Sequence, residues 1–92
     1  MKAVYKYPLE ITDEQVVNMP LNAKILCVQI QRSVPCLWAE VNTEETEFEE
    51  RKIYIHGTGH EYEEEGSYIG TIQPYDGRLV FHVFEEKVDN NE

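Results

Sequence analysis

The sequence predicts an all-β protein, a small antiparallel β-sandwich or flattened barrel of about six to seven strands. Apolar and polar residues alternate with a period of two over several short segments, and Pro, Gly and Asn separate these segments. No segment shows a sustained helical period. The 92 residues are 41% hydrophobic, which suits one folded domain. We expect this domain at 1–86, followed by a frayed acidic tail at 87–92.

The elements follow one another with clear turn signals. The first strand ends at Pro8. Residues 14–19 follow an N-cap pattern at Thr12 or Asp13, but Pro20 stops the segment within two helical turns, so we interpret it as a short strand. We predict that "RSVP" forms the turn of a hairpin between the next two strands, and that "PYDG" forms a β-turn before the last strand. Besides residues 14–19, the predicted strands are 2–8, 23–32, 36–42, 48–56, 67–73 and 78–85.

Alternation divides the strand residues into two rows. One row is apolar and is predicted to form the core: Leu26, Val28, Ile30, Leu37, Ala39, Val41, Ile53, Ile55, Leu79, Phe81 and Val83. The opposite row is Cys27, Gln29, Gln31, Cys36, Trp38, Glu40, Tyr54, His56, Val80, His82 and Phe84. Aromatic and uncharged polar side chains in this second row are typical of a protein interface or a ligand floor. The alternative is a minor second core covered by the N-terminal strand.

The overall charge limits the classes of partner. A formal net charge of −10 argues against binding of long nucleic acid, which requires a broad basic surface. A small anionic ligand remains possible, because a few cations and backbone amides make a local positive site. No stretch has membrane-spanning length and the N-terminus lacks a signal-peptide core, so we expect a cytoplasmic protein without membrane contact. A short chain with a second amphipathic face also predicts a homo-oligomer.

The segment "HGTGH" holds the clearest candidate site. Gly57 and Gly59 can adopt positive φ, so that successive amides point into one concavity suited to an anion. Thr58 adds a hydroxyl donor, and His60 an imidazole that becomes cationic beside a phosphate. The alternative is a plain glycine turn.

The sequence supports metal binding and catalysis less than it supports anion binding. His56, His60, Glu61 and Glu63 are possible metal ligands, but they do not have the spacing of a known zinc motif. We therefore predict no metal and no cofactor. The chain has no GxSxG elbow, and neither cysteine lies in a catalytic signature. We predict a protein that is not an enzyme.

Aromatic and basic residues complete the candidate site. Trp38 points away from the predicted core and offers a ring on which a base can stack, as does Tyr7. Lys6, Arg32 and Lys52 are cations near strand ends that can meet phosphates. The alternative is that Tyr7 is a half-buried strand residue and that the three cations are ordinary surface charges.

Several blocks of the sequence resemble a small, largely phage-encoded family. Its members combine an N-terminal K-Y-P-L, a central G-T-G-H and a final L-V-F-H-V-F-E. The resemblance covers the chain apart from 43–50, 61–66 and the tail. Leu21-Asn22 departs from the family pattern, which has a Gly before Ala23. The matching blocks are "YKYPL", "MPLNAKILCVQIQ", "PCLWAEV", "HGTGH", "YIGT" and "GRLVFHVFE".

The resemblance implies a viral anti-CBASS "sponge", a protein that sequesters nucleotide second messengers and so blocks host antiphage signalling. It implies a homo-oligomer in the host cytoplasm that binds cyclic dinucleotides of the cyclic GMP-AMP class without hydrolysis. The residues expected to bind this ligand are Lys6, Tyr7, Arg32, Trp38, Gly57, Thr58, Gly59 and His60. The alternative is a phage structural or accessory protein-binding module without a small ligand, with Trp38 as its anchor.

Overall fold

The computed structural model describes residues 1–87 and contains seven strands. Every strand predicted from the sequence is present, including the short second one. The strands are β1 (Lys2–Pro8), β2 (Glu14–Pro20), β3 (Lys24–Gln31), β4 (Val34–Asn42), β5 (Phe48–Gly57), β6 (Gly66–Ile72) and β7 (Phe81–Glu86). One helical turn, α1 (Pro74–Gly77), separates β6 from β7.

The strands form two antiparallel sheets. The three-stranded sheet has the order β1-β4-β3, and the four-stranded sheet has the order β2-β5-β7-β6. Apolar residues from the facing sides of both sheets make one core. The predicted antiparallel β-sandwich is therefore confirmed.

The core follows the predicted alternation along the central strands. Leu37, Ala39 and Val41 of β4 face Ile53 and Ile55 of β5, and all five are buried. Burial of one such large aliphatic side chain contributes about 1.5–3 kcal/mol, so these strands supply much of the stability of the sandwich. Further buried members are Leu9, Met19, Ala23, Val28, Ile72 and Val83.

Two residues predicted to lie in the core are exposed. Leu26 is 45% exposed because the β3–β4 register shifts between Ile25 and Cys27. This β-bulge inserts one residue, so Ile25 packs against the core in place of its neighbour. Leu79 is 48% exposed because β7 begins only at Phe81, and the alternation does not extend into the preceding loop.

The predicted turn "PYDG" has an unusual backbone. Tyr75 (φ 58°, ψ 44°) and Asp76 (φ 58°, ψ 34°) are both left-handed, and Gly77 follows with φ 82°. The segment is therefore a tight left-handed turn rather than a regular helix. Left-handed conformations cost non-glycine residues about 1–2 kcal/mol each, so the surrounding packing has to offset strain in this loop.

The mixed row predicted from the sequence is split between two surfaces. Because the two sheets pack face to face, their outer sides point in opposite directions. Trp38 lies on the outer side of the three-stranded sheet, which we call the Trp38 face. His56 and His82 lie on the outer side of the four-stranded sheet, which we call the His56 face. Tyr62, and not the N-terminal strand, covers part of the His56 face, because β1 pairs with β4 in the other sheet.

The end of the predicted domain is only partly described. Lys87 donates its amide to the carbonyl of Glu65 at 3.3 Å. The remainder of the predicted tail, residues 88–92, lies outside the described residues. Within 1–87, no helix has the length and apolar character needed to cross a membrane.

Candidate ligand-binding cleft

The HGTGH segment forms a β-turn at the end of β5. The amide of His60 donates to the carbonyl of Gly57 at 3.1 Å, and Gly59 has φ 87°. A positive φ at the third turn position favours glycine. The amide of Thr58 donates to the carbonyl of Val80 at 3.2 Å. Two of the amides expected to meet an anion are thus paired within the protein.

The imidazole of His60 folds back over Gly57. A Cβ atom at position 57 would lie 3.0 Å from Nδ1 and 3.1 Å from Cε1 of this ring. The lack of a side chain on Gly57 therefore lets the exposed His60 ring lie against the end of β5. This contact sets where the imidazole stands beside the turn.

The turn forms one wall of a cleft of about 380 Å³. Gly57, Thr58 and His60 line this wall, and residues 78–81 line the other. Arg78, an exposed residue, lies on the wall opposite His60. Leu79, Val80 and Phe81 give the cleft an apolar lining. A phosphate fits the chemistry of a guanidinium and an imidazole, and an apolar surface suits a base or sugar.

The sequence does not single out Arg78 as a ligand residue. The alternation predicts it as the first residue of the last strand, with no partner for its side chain. The left-handed turn at Tyr75 and Asp76 delays that strand, and it leaves Arg78 in the loop that faces HGTGH. The sequence Tyr-Asp-Gly-Arg does not predict this turn, because tyrosine rarely adopts left-handed backbone angles.

A chain of hydrogen bonds connects the turn with the far edge of the same sheet. Thr58 Oγ1 lies 2.7 Å from Nε2 of His82, and Nδ1 of His82 lies 3.0 Å from Thr71 Oγ1. Tyr68 Oη lies 2.6 Å from Thr71 Oγ1. His82, a residue of the predicted mixed row, therefore holds the Thr58 hydroxyl at the edge of the cleft.

His56 is engaged elsewhere. Its side chain is 8% exposed, and the Tyr62 ring stacks on it with centroids 3.8 Å apart. Its Nε2 atom is 3.5 Å from a carboxylate oxygen of Glu64. The part of the chain that the structure describes has no group of three potential ligands able to hold a metal ion.

The other predicted ligand residues lie on the three-stranded sheet. Lys6 is directly opposite Trp38, and its ammonium donates to Gln31 Oε1 at 2.8 Å. Arg32, with φ 50°, belongs to the two-residue turn between β3 and β4. Tyr7 is opposite Leu37 and packs against the core, where burial raises the pKa of its hydroxyl. The structure thus brings together the predicted turn residues, and it places Lys6, Arg32 and Trp38 on a different sheet.

Comparison with known protein families adds one match. The family model for a domain of unknown function, DUF7352, matches residues 1–92. The chain belongs to the DUF7352 family. No curated protein and no solved structure matches this DUF7352 chain.

A second cleft of the DUF7352 protein, of about 530 Å³, lies between the ends of β5 and β7. Three cations and four carboxylates line it, and one of the cations, Arg51, forms a bidentate pair with Glu85 and donates to the carbonyl of Ala23 at 2.9 Å. The hydrogen bond that the Arg51 guanidinium donates to Glu85 is the main cause of its raised pKa. Because Arg51 is paired and carboxylates outnumber cations, this cleft does not favour an anion, and Arg78 makes the smaller cleft the better anion site.

Proposed function

We propose that this DUF7352 protein binds a small anionic nucleotide without converting it, with a phosphate between the HGTGH turn and Arg78. One observation carries the proposal: Arg78, His60 and Thr58 all line one cleft. On a chain with a net charge of −10, such a local group of donors distinguishes this cleft from the acidic surface around it.

Each side chain has a separate part in the proposed site. Arg78 offers the planar fork of donors that matches two phosphate oxygens. His60 donates through a ring nitrogen, and it binds the phosphate more strongly when protonated. On binding, the Thr58 hydroxyl exchanges its bond to the Val80 carbonyl for one to a third phosphate oxygen, while the ring of His82 holds its oxygen atom in place. Leu79 and Phe81 offer apolar contact to the nucleoside.

The resemblance noted above supplies the ligand class within this proposal. It implies cyclic dinucleotides of the cyclic GMP-AMP class, kept from host antiphage effectors by sequestration in the cytoplasm of an infected cell. It also implies a homo-oligomer. The phosphate contacts described here come from one chain, so we expect one ligand phosphate for each cleft, whatever the number of copies in the assembly.

Calorimetric titration with cyclic GMP-AMP tests the proposal. Charge-assisted bonds to phosphate contribute about 1.5–3 kcal/mol each, so Arg78→Ala and His60→Ala should each weaken binding by roughly one to two decades. Lys24→Ala is the matched control, because it removes an exposed cation from the other sheet. Chromatography after long incubation should return the nucleotide intact.

The outcome is decisive in three cases. If neither cyclic dinucleotides nor cyclic trinucleotides raise the melting temperature, nucleotide binding is wrong, since a ligand of the native state must stabilise it. If Lys24→Ala weakens binding as much as Arg78→Ala, the nucleotide is bound outside this cleft. If the nucleotide returns cleaved, the protein is an enzyme.

A further inference from the structure

The Trp38 face concentrates positive charge on an acidic protein. Lys2, Lys6 and Lys24 point outward from its strands, and Arg32 stands in the adjoining turn. These are four of the eight basic residues of the chain, which has 18 acidic ones. Glu40 is the one carboxylate at the outward positions of β1, β3 and β4, all of which the structure describes. The charge is therefore segregated by face.

Apolar side chains lie among these cations on the same face. Across the three strands, Trp38 has Lys6 on one side and Cys27 on the other, and Glu40 has Val4 on one side. Val4 is 56% exposed and Val34 is 40% exposed, while Trp38 is partly buried. Exposed apolar residues surrounded by cations are the arrangement expected of a protein-binding surface with an apolar centre and a charged rim.

We propose that the Trp38 face is a docking surface for an acidic segment of a partner protein that also carries apolar side chains. Carboxylates of that segment pair with Lys6 and Lys24, and its apolar side chains pack on Trp38 and Val4. Charge complementarity decides between this occupant and others. This surface does not involve the cleft at Arg78, so the inference is independent of nucleotide binding.

The same charges disfavour the other occupants. A second copy docked by two-fold symmetry presents the same patch, so two surfaces that each carry four cations and one carboxylate repel one another. For single-stranded nucleic acid, binding relies on several stacked bases. Trp38 is the only aromatic ring at the outward positions of this fully described sheet, so it offers one stacking site.

The single tryptophan of the chain makes the test direct, because its emission reports on this face alone. The probe is a short peptide of alternating glutamate and leucine, titrated into the full-length protein. We expect a saturable change in Trp38 emission that weakens as salt is added. Lys6→Glu with Lys24→Glu should weaken the affinity at least tenfold, and Val4→Thr, which keeps the branched shape, should weaken it several-fold. Lys87→Glu reverses an exposed charge next to β7 of the other sheet, outside the cleft at Arg78, and should leave binding unchanged.

Other outcomes overturn the proposal. The docking surface is absent if emission does not respond, or if a peptide of alternating lysine and leucine binds equally well. A response to oligothymidylate of equal affinity reassigns the face to nucleic acid. A change that follows protein concentration alone reassigns it to a second copy. Circular dichroism of the Lys6→Glu, Lys24→Glu variant should match the parent, since both lysines are exposed and make no core contact.

Discussion

The rings of His56 and Tyr62 lie 3.8 Å apart and within 8° of parallel. Tyr62 belongs to the acidic loop after HGTGH, whereas His56 lies near the end of β5, an inner strand of the four-stranded sheet. The Tyr62 ring also contacts Phe84 of β7, with centroids 5.8 Å apart. One side chain therefore fastens a loop rich in glutamate to the outer side of the four-stranded sheet.

Replacing Tyr62 tests how strongly this loop is held. Aromatic pairs contribute about 0.5–1.5 kcal/mol beyond the area they bury, so Tyr62→Ala should lower the free energy of unfolding by at least that much. Amide exchange should also become faster across 58–65. Urea denaturation and hydrogen exchange are the measurements. Tyr62→Phe keeps the ring and serves as the control, and equal stability of the two variants would show that stacking is unimportant.

A double-mutant cycle tests the contact between the sheets at Gly70. A Cβ atom there would lie 2.8 Å from Cγ1 of Val28, whose β-branched side chain has little freedom to move away. Gly70→Ala should therefore destabilise the protein by about 1–3 kcal/mol through overpacking. Val28→Ala removes the clashing methyl group. The double variant should be more stable than the sum of the single effects by about 0.5–3 kcal/mol, and additivity in urea denaturation would contradict the contact.

Alkaline pH should destabilise the fold through two tyrosines. Burial is the main cause of a raised pKa for both Tyr7 and Tyr54. Each hydroxyl binds its proton more tightly in the folded state, so its contribution is present below the unfolded pKa of about 10 and is lost as pH rises through the folded pKa. Urea midpoints should therefore fall above about pH 10. Tyr7→Phe and Tyr54→Phe should flatten this fall, and Tyr75→Phe, at an exposed position, should not.

The hydrogen bonds around His82 predict which of its ring nitrogens carries the proton in the neutral form. If Nε2 carries the proton, it donates to Thr58, whose hydroxyl then donates to the Val80 carbonyl at 3.4 Å. Nδ1 accepts from Thr71, which accepts from Tyr68. The opposite tautomer loses the bond to Val80. Long-range ¹H–¹⁵N spectra of the neutral ring should show Nε2–H, and Thr58→Val should raise the Nδ1–H population. A dominant Nδ1–H form in the parent would refute this network.

Much of the fold could be predicted because alternation and turn residues act locally. The five core residues of β4 and β5 follow a strict period of two, and Pro20 stops a helix at any position in a fold. The exposed Leu26 could not be predicted, since a bulge depends on how the neighbouring strand pairs. The left-handed conformation of Tyr75 could not be predicted either, because tertiary packing has to hold it there.

The candidate site was less predictable than the fold. Gly57, Thr58 and His60 are adjacent in sequence, so any fold keeps them together. Arg78 joins them only because β5 and β7 pair, which is a non-local property. Likewise, the period-two pattern assigned Trp38 and His56 to one row, since it cannot tell on which sheet a strand lies.

The bulges in β3 and β6 form a matched pair. One falls between Ile25 and Cys27 and the other between Tyr68 and Gly70, and the extra residues Leu26 and Ile69 line one cleft where the sheets meet. Ile25 pairs with Ala39 and Cys27 with Trp38, so deleting Leu26 alone would leave a regular β3–β4 ladder in which every other side chain keeps its direction. The same holds for Ile69, because Tyr68 pairs with Phe84 and Gly70 with Val83. Each bulge is therefore an insertion that the fold can lose independently, and a relative of the DUF7352 family shortened at either position would keep the register of both strands.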